Sequence, residues 1–283
     1  MLCEVGPRDG LQNEAATISA GDKIALIDAL SAAGLREIEA TSFVSPAWVP
    51  QLADAAEVMA GITRAPGARY TALTPNETGY DRARAAGVDR VAVFAAASET
   101  FSQKNINCSI AESLDRFVPV FSRAAADGLP VRGYISCVTD CPYEGAIAPA
   151  AVAHVAAALR DAGAEEISLG DTIGRGSPAA VAAMLEAVLA QVPAARLAGH
   201  FHDTGGRAVD NIAVAYDAGL RVFDTAVAGL GGCPYAPGAA GNVATEAVVA
   251  HFAARGVETG VDADALAEAA DLARRLSGRA AHV

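Results

Sequence analysis

Apolar positions along the chain fall into two alternating rhythms. Spacings of three to four residues over Asp22–Ala33, Val49–Ala60, Ile110–Ala126, Pro149–Leu159, Pro178–Leu189 and Arg207–Ala218 predict amphipathic helices. Between them stand short aliphatic and β-branched runs, Leu2–Val5, Glu37–Glu39, Tyr70–Leu73, Val91–Phe94, Val131–Ser136, Ile167–Leu169, Leu197–Phe201 and Val222–Phe223, of the kind that parallel sheets bury on both faces. A loose repeat joins the two rhythms, in which an Ala-rich helical end reaches a Gly and a strand follows. The five clear copies turn at Gly34, Gly87, Gly128, Gly163 and Gly219. Glycine there accepts the left-handed conformation that closes a helix and releases the chain into a strand.

Eight strands alternating with helices, with no polar linker or low-complexity segment, predict the α/β class. The expected architecture is a single (β/α)8 TIM barrel spanning residues 1–283. A further helix near Asp262–Leu276 falls outside the repeat, and a Gly-rich stretch, Gly229–Asn242, follows the eighth strand.

Composition narrows the picture. Only 5% of residues are aromatic, so the core must be built from small and aliphatic side chains, which suits helices packed closely on strands. A formal charge of −12 argues against nucleic acid or an anionic membrane as partner, because the protein's field repels phosphates. Any phosphate-bearing ligand must find local cations, and Lys23 and Lys104 are the chain's lysines. The five cysteines, Cys3, Cys108, Cys137, Cys141 and Cys233, are an odd number without a signal-like segment, which predicts reduced thiols and a cytoplasmic protein. No apolar run approaches the roughly 20 residues of a membrane helix.

Candidate chemistry collects at strand ends. In His200-Phe201-His202 the period of two puts both imidazoles on one face of strand seven, as metal ligands or as a hydrogen-bonded structural pair. Arg8-Asp9, Glu39, Ser42 and Asp171-Thr172 end other strands and would share the same mouth of the barrel, where ionisable groups need a partner or a task. The Gly229–Asn242 stretch is too long for a simple connection and carries a thiol and an amide, which predicts a mobile lid.

These residues lie in segments that resemble the 3-hydroxy-3-methylglutaryl-CoA lyases, within the larger group of metal-dependent barrels with an Arg-Asp pair after strand one. The resemblance covers roughly Glu4 to Gly260. It is carried by Glu4–Glu14, Thr41–Pro46, Lys104–Ser109, Cys141–Gly145, Ser168–Gly174, His200–Thr204 and the Gly229–Asn242 loop continued by Ala244–Glu246. It implies a metal held by Asp9, His200, His202 and Asn242, an oxygen-and-imidazole set suited to Mg²⁺ or Mn²⁺. It also implies an acyl-CoA substrate, a dimer, Arg8 against the thioester oxygen, and Cys233 as proton donor from the lid. His200 is expected to relay the hydroxyl proton, with Asp9 as the alternative base. Glu39, Asp171 and Glu246 are expected to support Arg8, the ligands and the lid, a structural salt bridge being the plain alternative for each. Lys104 and Arg132 are the cations expected on the CoA side.

The chain departs from the resemblance at Gly205-Gly206-Arg207, where that group usually has Tyr-Gly-Gln. Loss of the ring would widen the acyl pocket and admit a longer-branched 3-hydroxyglutaryl-CoA. The nearest rival is a condensing synthase joining acetyl-CoA to a 2-oxo acid. It typically carries His-x-His-Asn-Asp and a Gly-Glu-Arg loop, where this chain has His-Phe-His-Asp-Thr and Gly-Gly-Cys-Pro. A barrel that binds CoA or a partner without turnover is the non-enzymatic alternative.

Overall fold

The computed structural model describes residues 1–12, 14, 16–233 and 236–278, with only the backbone for 232–233 and 236–240. Eight parallel strands close a barrel: β1 (Leu2–Glu4), β2 (Glu37–Ser42), β3 (Arg69–Leu73), β4 (Arg90–Ala96), β5 (Val131–Ser136), β6 (Glu166–Asp171), β7 (Leu197–Phe201) and β8 (Val222–Thr225). Each strand pairs with its neighbours in sequence. β1 closes the ring on β8 with Leu2 opposite Phe223 and Glu4 opposite Thr225.

Helices α1 (Ala20–Ala32), α2 (Ala55–Gly61), α3 (Glu77–Ala85), α4 (Glu99–Ile106), α5 (Ile110–Asp127), α6 (Pro149–Ala162), α7 (Pro178–Leu189), α8 (Ala208–Asp217) and α9 (Thr245–Ala254) follow the strands, and α10 (Ala263–Ser277) packs against α1. The five repeat glycines all take positive φ, from 67° to 108°, as the helix-to-strand turn requires. Helix α5 is fixed at both ends by a Ser109/Glu112 capping box and by Gly128. The expected Val49–Ala60 helix is instead a short turn, Pro50–Leu52, followed by α2. Helices α3, α4 and α9 were not apparent in the periodicity. α3, for example, is short and polar, and is started by the Asn76 side chain accepting from Gly79 N. Among the described residues no helix is long and apolar enough to cross a membrane.

The period of two divides each strand between two environments. Ile38, Val91, Val93, Ile135, Ile167, Leu169, Phe201 and Phe223 face the helices and join the main core with Leu26, Leu30, Leu159, Leu185 and Ile212. Alternate positions face the barrel axis. There, small apolar residues such as Cys3, Ala198 and Val222 leave room for buried polar ones: Glu37, Glu39, Arg90, Arg132, Glu166, Ser168 and Asp224. The barrel interior is therefore a charged column inside an aliphatic sleeve, and the candidate site is its upper end.

Candidate metal centre at the barrel mouth

After β1 the backbone winds through one π-type turn, Gly6–Gly10. The amides of Arg8, Asp9 and Gly10 all converge on the Val5 carbonyl, at 3.1, 2.7 and 3.3 Å. This turn throws both Arg8 and Asp9 over the mouth. It also brings Gly10 against the start of the Gly-rich loop, where an added Cβ would lie 2.6 Å from Leu230 Cβ.

His200 and His202 project inward from the end of β7, their rings 5.3 Å apart. Candidate ligand atoms of Asp9, His200 and His202 all lie within 4.8 Å of one another. Asn242 completes the group from the far end of the loop. A β-bridge pairs it with His202, the Asp203 amide donates to Gly241 O at 2.7 Å, and Val243 N donates to Phe201 O at 3.2 Å. The loop end is thereby stitched onto the end of β7. Asn242 Nδ2 donates to Asp9 Oδ2 at 2.9 Å and to Leu230 O at 3.2 Å.

The electrostatics suit a cation. Burial works against ionisation of Asp9, but Arg8 and the two imidazoles outweigh it and hold the carboxyl down to about 2. Burial and the neighbouring His200 push His202 down to about 4, so its ring is neutral near pH 7. His202 Nδ1 is buried with no hydrogen-bond partner, a cost that a bound metal or ordered water would remove. His200 Nδ1 lies 3.1 Å from Asp224 Oδ2; despite burial, that carboxylate raises the basicity of the ring above an ordinary imidazole. One carboxylate, two imidazoles and a nearby amide, with no thiolate among the described residues, fit a hard divalent cation.

Arg8 is aimed by Glu39. Its Nε and Nη2 stand 2.7 and 2.6 Å from Glu39 Oε2, and its Nη1 lies 2.7 Å from Asp9 Oδ1. Burial opposes the charge, yet Glu39 and Asp9 keep the guanidinium more firmly protonated than in water. Tyr134, unremarked in the sequence, links this pair to the floor of the site. Its hydroxyl donates to Glu39 Oε2 at 3.0 Å and accepts from Arg132 Nη1 at 2.7 Å, and Arg8 and Arg132 approach its ring at 5.4 and 4.8 Å.

Arg132 requires a correction. It is fully buried in the barrel interior, with Nε on Glu166 at 2.7 Å and Nη2 on Asp224 at 2.6 Å, so its donors are spent far from any solvent-borne CoA. Its partner Asp224 is, with Tyr134, a polar residue of the site that the sequence patterns do not single out. β8 runs to Thr225, two residues beyond the expected end, and the register sets Asp224 beside His200. There it accepts from Ser168 Oγ at 2.7 Å as well as from Arg132.

The other expected residues take distinct places. Asp171 ties neighbouring loops, accepting from Thr139 Oγ1 and Gly176 N, each at 2.9 Å. Glu246 accepts from Ala228 N at 3.0 Å and from Arg274 Nη2 at 3.2 Å, holding the root of the Gly-rich loop to α10. Lys104 is exposed on α4 with its ammonium 4.7 Å from the Tyr143 ring. The Cys233 side chain lies outside the described residues. Gly205 does not leave an open pocket: it is exposed, and a Cβ there would sit 2.7 Å from Gly174 O and 3.3 Å from the Arg207 guanidinium.

With this geometry in hand, likeness to known proteins is specific. The HMGL-like family model matches residues 1–273. The chain is 58% identical over 268 residues to the 3-hydroxy-3-isohexenylglutaryl-CoA/hydroxy-methylglutaryl-CoA lyase of Pseudomonas aeruginosa, covering 95% of this chain and 89% of that protein. The crystal structure of the HMG-CoA lyase from Brucella melitensis superposes with a TM-score of 0.97 at 59% identity over 98% of both chains. A structure of an HMG-CoA lyase from Acinetobacter baumannii, in complex with coenzyme A and 3-methylmalate, superposes with a TM-score of 0.93 at 36% identity, over 99% of this chain and 91% of that one.

Proposed function

The chain belongs to the HMGL-like family, and on that premise we propose that it is a divalent-metal-dependent lyase cleaving 3-hydroxy-3-methylglutaryl-CoA to acetoacetate and acetyl-CoA. The observation that carries the reading is the convergence of Asp9, His200 and His202 beside a fixed Arg8 at the open end of a barrel. The reaction breaks the bond between the tertiary carbinol carbon and the thioester α-carbon. The hydroxyl proton leaves, its oxygen becomes a ketone, and the bonding pair moves onto the α-carbon as a thioester enolate that is then protonated.

Mg²⁺ or Mn²⁺, held by Asp9, His200, His202 and Asn242, supplies Lewis acidity toward the substrate oxygens when bound. For Asn242 to serve, its amide must present the oxygen, a half-turn from the orientation that donates to Asp9. Arg8, clamped by Glu39, offers the thioester oxygen a preformed positive charge as the enolate develops. Asp224 holds His200 by Nδ1, so Nε2 is the ring nitrogen left either to bind the metal or to relay the hydroxyl proton, the role assigned to His200 here; Asp9 is the alternative base. Cys233 is assigned the proton returned to carbon, and Lys104 beside Tyr143 the CoA phosphates. Residues 1–283 act in this proposal as one cytoplasmic catalytic domain, paired as a dimer that light scattering of the purified protein will detect.

A second reading, a longer branch at the tertiary carbon, is favoured by the Pseudomonas aeruginosa relative, whose name includes an isohexenyl substrate. One assay addresses both. Purified protein is incubated with HMG-CoA and a longer 3-alkyl analogue, with and without EDTA and then Mn²⁺. Metal-dependent release of acetyl-CoA is expected from at least one substrate. Full turnover in excess EDTA, with no metal retained, would overturn the mechanism, and no cleavage of either would overturn the function.

A further inference from the structure

Glu4 stands on the helix-facing side of β1, two residues from Leu2 and on the same face, where the other strands place aliphatic side chains. It is completely buried, and no ion pair reaches it among the described residues. A carboxyl group in an apolar layer is costly unless its oxygens are occupied, and here they are. Oε1 accepts the amides of Gly6 and Val227, both at 2.9 Å, and Oε2 accepts the Thr245 hydroxyl at 2.6 Å.

The three donors belong to three different pieces of the site. Gly6 begins the turn that carries Arg8 and Asp9. Val227 begins the turn that leads into the Gly-rich loop, directly before Ala228, a non-glycine residue held at φ 55°. Thr245 opens α9, three residues after Asn242. A single side chain thus spans the root of the Asp9 turn, the way into the loop and the way out of it. The first of these segments lies more than two hundred residues in sequence from the other two. Backbone bonds join them only two at a time: Val5 N donates to Thr225 O at 2.8 Å, Ala226 N to Val243 O at 3.0 Å and Thr245 N to Ala226 O at 3.2 Å, whereas the Glu4 carboxyl meets all three.

We propose that Glu4 is a positioning residue that sets the Asp9 turn and both stems of the Gly229–Asn242 loop in a common register, so that Asp9 and Asn242 meet at 2.9 Å. The inference rests on Asp9 and Asn242 being metal ligands, as read above. It is independent of which thioester is cleaved.

The test uses the full-length protein, Mn²⁺ titration by calorimetry, and amide hydrogen exchange at Gly6 and Val227, neither of which needs substrate. Glu4→Gln retains an acceptor for both amides and can donate to Thr245 Oγ1. It should therefore keep Mn²⁺ affinity within about threefold of wild type and keep both amides protected. Glu4→Ala should weaken Mn²⁺ binding by roughly ten- to hundredfold, the scale of losing an outer partner of a metal ligand, and both amides should exchange faster. Thr245→Val removes one donor without changing side-chain volume and should weaken Mn²⁺ binding by about a few-fold.

A folded Glu4→Ala protein with wild-type Mn²⁺ affinity would reduce Glu4 to a structural group and overturn the proposal. If Glu4→Ala fails to fold, Thr245→Val with unchanged Mn²⁺ affinity does the same. A wild-type protein that binds Mn²⁺ but cleaves no hydroxyacyl-CoA rejects the lyase reading alone, whereas one that binds no Mn²⁺ overturns both.

Discussion

At the base of the barrel, Arg69, Arg90 and Arg132 face Glu37, Glu165 and Glu166 with contacts of 2.7 to 3.7 Å, and each charge meets an opposite one. At the mouth, Asp9, Glu39 and Asp224 share Arg8 and one arm of Arg132, two imidazoles stand between them, and Glu39 Oε1 and His202 Nδ1 are buried without a partner. Both regions are ionic and largely buried, the Arg69–Glu165 pair at the base being the part that meets solvent. The base is balanced in charge, and even Arg90 Nη2, which makes no hydrogen bond there, stands 2.9 Å from the Glu37 carboxylate. The mouth keeps acceptor atoms open that a cation or an ordered water would occupy. Burial of charge is therefore a poor guide to function, and the unspent coordination of that charge is a better one.

The sharpest way to break this contrast is to change one arginine at each end. Arg8→Gln should leave Mn²⁺ bound and lower kcat by about 10²- to 10³-fold, the scale of losing an oxyanion donor. Arg90→Met should instead cost about 3–5 kcal/mol of stability by stranding buried carboxylates. Turnover of the folded fraction at low temperature should change little. If Arg90→Met abolished turnover in a protein with an unchanged melting curve, base and mouth could not be separated in this way.

Glu4 sharpens the comparison from a third position, since it is ionisable and buried but has no cation partner among the described residues. Burial pushes its carboxyl up to about 7 from the ordinary 4.5, against the hydrogen bonds from Thr245, Val227 and Gly6; the charge of Glu246 adds slightly to the rise. The folded chain then binds this proton more tightly than the unfolded chain does. Its contribution to stability is complete below pH 4.5 and is lost as pH rises through about 7. The loss should approach about 3 kcal/mol and should be flattened in Glu4→Gln. Parallel melting-temperature profiles for wild type and variant between mildly acidic and mildly alkaline pH would assign the titration to another group.

Asp224→Asn tests the join between the two regions, because Asp224 touches Arg132 on one side and His200 on the other. An amide can accept from Arg132 through its oxygen but then turns its NH2 toward His200 Nδ1, and it no longer raises the basicity of the imidazole. Mn²⁺ affinity should fall by about tenfold, with a smaller change in Tm. Unchanged affinity would mean that the orientation of His200 is secured without the carboxylate. The smallest effect is expected at Gly205, where Ala must push on the Gly174 carbonyl. The cost should be about 1 kcal/mol of stability, with kcat/KM shifting equally for short and long acyl branches. A selective loss of the longer substrate would restore this position as a wall of the acyl pocket.

Much of this was legible along the chain, for identifiable reasons. Strand and helix rhythms differ in period, so the eight barrel strands were readable to within a few residues, and the repeat glycines marked the turns. His200 and His202 were readable as a pair because a period of two cannot separate them. Asp224 is not legible in this way because the apolar run of β8 stops at Phe223, and a carboxylate just beyond it reads as the start of a loop. Arg132 and Tyr134 illustrate a different limit. Alternation predicts that both face inward, but whether an inward arginine meets solvent or Glu166 depends on interstrand register and depth, quantities that no single segment contains.

The bridge between His202 and Asn242 bears on how the molecule is made. The proposed ligands span positions 9 to 242, and β1 cannot find β8 until Val222–Thr225 exists. During synthesis the first ligand leaves the ribosome long before the last, and the intervening chain must wait with its sheet edges open. Metal capture with full affinity is then a late event, available only to a chain that has closed on itself. A cell that draws on metal binding to pull folding forward would be stabilising the finished ring selectively over every shorter intermediate.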